Sequence, residues 1–115
     1  MTNDVKIKLE EFSLGIISAL KAGIRPSSLQ YSHSQVGIGD FCAFAGSAIN
    51  YLVSNGVLSV EEKRESATSM VNIFMRTFGH HATLAELSEI ADIVLEQNGV
   101  ENNFGGIVAA IKFAH

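Results

Sequence analysis

Cys42 and the histidines are the side chains of this sequence whose types could do chemistry. A thiol at a helix start lies over aligned backbone amides, which lower its pKa. A nearby imidazole could then act as its base, and His33, His80 and His81 are available for such a dyad. The competing role for Cys42 is an inert thiol in the core, and free cysteine is among the most buried residue types. That role is preferred, because no spacing supplies an oriented base. Adjacent residues such as His80 and His81 rarely ligate one metal together, and no Cys or His partner lies at zinc-finger spacing. Ser32-His33-Ser34 lacks the glycine framework of a nucleophile elbow. No dinucleotide fingerprint, phosphate-binding loop or metalloprotease motif occurs. The expectation is a protein without catalytic residues, metal or cofactor, and so not an enzyme.

A second group of residues points to binding. From Thr77 to Ile111 there is no basic residue except histidine. Within that stretch Glu86, Glu89, Asp92 and Glu96 fall within about a third of a helix circumference. Glu101 extends the patch, and Ile93 lies among the carboxylates. Like charges at this spacing destabilise an isolated helix by about 0.2–0.5 kcal/mol per pair. A solvated face is the plain reading. The sharper one is a contact surface for a basic partner, comprising Glu86, Glu89, Asp92, Ile93, Glu96 and Glu101.

These residues must be positioned by helices. The sequence predicts an all-α fold, a single compact bundle of about five helices around a buried central helix at 40–55. In that central helix Phe41, Phe44, Ala45, Ala48, Ile49, Leu52 and Val53 form one broad apolar arc. Tyr51 and Cys42 widen it, and only Ser47, Asn50 and Ser54 mark a polar strip. Gly39 or Asp40 is its expected N-cap and Asn55-Gly56 its stop.

A first helix is predicted over 4–22, capped by Asn3 or Asp4, with Leu9, Phe12, Ile16, Ala19 and Leu20 facing inward. The uncharged stretch 27–39 has no clear period and reads as a short helical turn or a binding loop. Ser59–Glu62 has the form of a capping box, opening a helix over 60–78 that buries Ala67, Met70, Val71, Phe74, Met75 and Phe78. Such a Met and Phe stripe is ordinary core, though it could also line a ligand pocket. Thr83–Glu86 is a second box, opening a helix that runs to about Asn98 and packs through Leu84, Leu87, Ile90, Ala91, Val94 and Leu95. A last short helix is expected over 104–114.

Composition narrows the class. The 115 residues form one domain, 1–115, large enough to bury a core, and the 47% hydrophobic content argues against disorder. Eight basic against twelve acidic residues, a net charge of −4, argue against binding nucleic acid, which needs clustered Lys and Arg. One cysteine forms no intrachain disulfide, as expected in a reducing cytoplasm. Phe41–Val60 has no charge, but its polar residues and Asn55-Gly56 break it, so no membrane span is expected. Glu10 and Glu11 interrupt any secretory signal.

In size, acidity and lack of a catalytic set, the chain resembles the immunity or inhibitor proteins that bacteria and phages use against basic nucleases or toxins. The resemblance is one of character, carried by no motif. It implies a non-catalytic cytoplasmic protein that neutralises a basic protein partner by occlusion. The alternatives are a small-molecule-binding or thiol-dependent domain using Cys42 and nearby histidines, and a structural subunit of a homo-oligomer.

Overall fold

The computed structural model describes residues 2–21 and 36–96. Over these the chain is helical, with no strand: α1 (Asn3–Lys21), α2 (Val36–Ser54), α3 (Lys63–Thr77) and α4 (Leu84–Glu96). A single 3₁₀ turn, Val60–Glu62, leads into α3. The all-α prediction holds for these four helices. The expected fifth helix at 104–114 lies outside the described residues.

α1 begins where Thr2, rather than Asn3 or Asp4, caps it. The Val5 N–H donates to Thr2 Oγ1 at 3.3 Å, and the Lys6 N–H donates to the Thr2 carbonyl at 3.1 Å. Asp4 instead occupies the first turn, where a carboxylate complements the positive end of the helix. The inward positions Leu9, Ile16, Ala19 and Leu20 are buried as their spacing predicts.

α2 departs further from the sequence expectation. It starts at Val36, not at Asp40, and Gly37 and Gly39 lie inside its first turns. Two glycines each cost a helix about 1 kcal/mol, which is why local propensity places the start too late. Packing outweighs that cost: every residue from Asp40 to Ile49 is buried. Asp40 is therefore a buried helix residue and not a cap. The expected polar strip is largely enclosed as well, with Ser47 buried and Asn50 half-buried, leaving only Ser54 exposed. α2 and α3 each pack against all three other helices, so the centre of the bundle is shared between them.

Two glycines end helices, Gly56 at the predicted stop of α2 and Gly79 after α3. At Gly56 and Gly79 φ is +72°, a left-handed conformation that side chains other than glycine adopt at a cost. At the first, the Gly56 N–H donates to the Val53 carbonyl and the Val57 N–H to the Leu52 carbonyl, at 3.1 and 2.9 Å. At the second, Gly79 and His80 repeat the pattern onto Arg76 and Met75, at 3.0 and 2.9 Å. Both are Schellman stops, which satisfy carbonyls the helix leaves open.

The two predicted capping boxes form. The Ser59 N–H and Oγ both donate to Glu62 Oε1 at 3.0 Å. These donors, the backbone N–H first and the hydroxyl second, hold the Glu62 carboxyl below its ordinary pKa. Thr83 and Glu86 form the reciprocal pair at α4. The Glu86 N–H donates to Thr83 Oγ1 at 3.2 Å, and the Thr83 N–H and hydroxyl donate back to Glu86 Oε1 at 3.3 and 3.0 Å.

Among the described residues, no helix is long and apolar enough to cross a membrane.

Candidate protein-binding groove

The end of α3 and the outer flank of α4 leave a groove of about 650 Å³. Phe74, Met75 and Phe78 form one wall, and Ile90 and Ile93 the other. Ile38 of α2 also lines it. Glu86 and Glu89 line the α4 side, and His80 and His81 enter from the connection between the helices. The lining thus combines an apolar interior with carboxylates and imidazoles. Among the described residues no lysine or arginine lines the groove.

Its aromatic wall is rooted in the core. Phe41 and Phe74 stack at 4.6 Å between ring centroids, and Phe74 and Phe78 at 4.8 Å. Phe41 is fully buried, whereas Phe78 is 45% exposed, so the column runs from the interior to the surface. Phe78 is therefore not the core residue that helical spacing predicts. The Schellman stop at Gly79 ends α3 at this point and leaves the ring at the groove edge. Lys21 Nζ lies 5.5 Å from the Phe78 centroid, within range of a cation–π contact.

Leu84 is a second correction. It is 78% exposed rather than part of the packing face of α4, since it occupies the first helical position, at the edge of the bundle. Leu87, Ile90 and Leu95 are half-buried, and only Ala91 and Val94 of α4 are fully buried.

The acidic stripe is divided by the fold. Glu86, Glu89 and Ile93 line the groove. Asp92 pairs with Arg64 of α3, whose other guanidinium nitrogen donates to Ser88 Oγ. Both members of the ion pair are about half exposed, so it contributes at most about 1 kcal/mol. It does cancel the Asp92 charge locally. Arg64 precedes Asp92 by 28 positions, so no local reading of α4 could find it. Glu86 serves the capping box at the same time as the groove. Glu96 is exposed on the last turn of α4 and is not among the groove residues. Glu101 lies outside the described residues.

The thiol is placed differently. Cys42 is 2% exposed, and burial pushes its pKa up to about 12, partly opposed by a backbone hydrogen bond. It is a protonated core group, not an activated nucleophile. His80 and His81 line the groove and Cys42 does not. His33 and residues 27–35 of the uncharged stretch 27–39 lie outside the described residues, and 36–39 belong to α2 rather than to a turn or loop. Among the described residues no three His, Cys, Asp or Glu side chains gather to hold a metal ion.

Sequence reasoning identified Glu86, Glu89 and Ile93 but not their neighbours across the groove. Phe74, Met75 and Phe78 were legible only as a helical stripe suited to core or pocket. The signal that could have singled out Phe78 is its place immediately before the terminating Gly79, where packing against the bundle runs out. No family model, curated protein or solved structure matches the chain.

Proposed function

We propose that this protein is a small acidic binding module that neutralises a basic protein partner by occlusion and has no catalysis of its own. The observation that carries this reading is the juxtaposition of Ile93 and Phe78, both 45% exposed, with Glu86 and Glu89 in one groove. Exposed apolar anchors beside like charges suit an encounter that is steered by charge and held by apolar contact. The buried thiol supports the absence of cysteine chemistry.

The test begins with capture of the partner from the native host, followed by association kinetics. Glu86 is left intact because it caps α4, and Asp92 because it already has Arg64. Glu89→Lys with Glu96→Lys is expected to slow association about tenfold at low salt and to flatten its salt dependence. An unchanged rate and salt slope would remove charge steering from the account.

A groove of this size lined by Phe, Met and Ile also suits a small apolar ligand. Under that second reading, an apolar fluorescent probe binds in the groove and is displaced by Ile93→Asp, while no basic protein is captured.

A further inference from the structure

We infer that the occupant of the groove is an amphipathic helix of the partner, apolar along one face and carrying arginine or lysine on the flank that meets Glu86 and Glu89. This rests on the reading of the protein as a binder of a basic partner, and narrows it to a surface and a shape.

The first argument is the periodicity of the two walls. Phe74 and Phe78 are four residues apart on α3 and its cap. Glu86, Glu89, Ile90 and Ile93 follow the three- and four-residue steps that place side chains on one flank of α4. Two helices lined in this way form a valley between ridges, into which the side-chain ridge of a third helix packs. The α4 lining from Glu86 to Ile93 extends for about 10 Å, enough to follow a partner helix for about two turns.

The second argument is charge. Glu86 and Glu89 lie on the α4 side of the groove, and no lysine or arginine is among its described lining residues; Lys21 lies over the Phe78 ring. Among the described residues, Asp92 is the acidic residue of this part of α4 with a guanidinium partner, and it is not in the groove. An occupant with guanidinium or ammonium groups on the matching flank therefore meets two carboxylates that pair with no lysine or arginine among the described residues. An acidic occupant meets repulsion. The remaining modes of peptide recognition fit less well. Strand addition needs a sheet edge, and phosphopeptide binding needs an arginine cluster; the described residues contain no strand, and the described lining has no arginine.

The test uses the full chain and a fluorescein-labelled synthetic peptide of about 18 residues, with leucines at helical three- and four-residue spacing and arginines on one flank. Two controls have the same composition with the spacing scrambled, and the same spacing with glutamate replacing arginine. The patterned basic peptide is expected to bind at least about tenfold more tightly than either control by fluorescence anisotropy. Amide NMR shifts on binding should centre on residues 74–81 and 86–93. Ile93→Asp and Glu89→Lys should each weaken binding by about fivefold or more, with unchanged helical circular dichroism.

Equal binding of the scrambled peptide overturns the inference, because the contact is then charge alone. So do shifts that map elsewhere, and groove shifts that depend on protein concentration without peptide, which identify a second copy as the occupant. If a captured basic partner is slowed by Glu89→Lys with Glu96→Lys while the patterned peptide does not bind, the helix assignment fails and charge steering stands. If the peptide binds but no basic partner is captured or steered, the functional reading fails and the groove assignment stands.

Discussion

α2 and α4 are both rich in apolar residues, yet the fold treats them in opposite ways. From Asp40 to Ile49 every residue of α2 is buried, whereas α4 buries only Ala91 and Val94 completely. α2 has α1, α3 and α4 packed around it. Among the described residues α4 has α2 and α3 as its main neighbours, and its groove flank keeps Ile93 and Glu89 at the surface. The difference shows where the two demands on a small domain are met. Burial is concentrated in a helix enclosed by its neighbours, and exposed apolar and acidic side chains remain on one that is not.

The largest expected effect comes from breaking the enclosed side. Phe41→Ala removes a fully buried ring that stacks on Phe74, and should cost about 3–5 kcal/mol through lost transfer energy and a cavity. Ile93→Ala, on the open side, should stay within about 0.5 kcal/mol of wild type. Urea unfolding of both variants measures the contrast. Similar losses for the two would mean that α4 is as enclosed as α2.

The next effect sharpens the comparison by titration. Burial raises Cys42 from an ordinary 9.0 to about 12, so above pH 9 the unfolded chain loses a proton that the native state keeps. The native state then binds more protons than the unfolded state, and stability falls as pH rises through that window. The slope from this one group is about 1.4 kcal/mol per pH unit, with its contribution intact below pH 9. Cys42→Ala should remove that part of the decline. Parallel pH profiles for variant and wild type would show that the native thiol reaches solvent.

The smallest effect concerns the local support of α4. Thr83→Ala deletes the hydroxyl that accepts from the Glu86 N–H and donates to the Glu86 carboxylate. It should lower stability by about 1 kcal/mol and speed hydrogen exchange in the first turn of α4 ahead of α2. Uniform acceleration across both helices would mean that the cap supports the whole fold rather than this one element.

Much of this architecture is local and was legible as such. Helical spacing marks Leu9, Ile16, Phe41, Ile49, Met70 and Val94 as inward. Ser59–Glu62 and Thr83–Glu86 are capping signals because the bonds they make span only three residues. Gly56 and Gly79 mark stops because only glycine takes a left-handed conformation without steric cost.

Other features depend on contacts between segments distant in sequence. The start of α2 at Val36 runs against the glycines in its first turns, and the burial of its neighbouring residues makes up that deficit. The pairing of Arg64 with Asp92 requires two helices to be laid side by side before either charge finds the other. Phe78 has the spacing of a core residue, but the bundle ends beneath it, so its ring lies at a groove edge. Sequence by itself determined that four helices form, the two capping boxes at Ser59 and Thr83, the stops at Gly56 and Gly79, and which faces are apolar, because these follow from bonds and periodicities a few residues long. Only the tertiary structure decided which apolar residues are enclosed and which carboxylates keep their charge, because burial and charge pairing are set by neighbours that the local sequence does not contain.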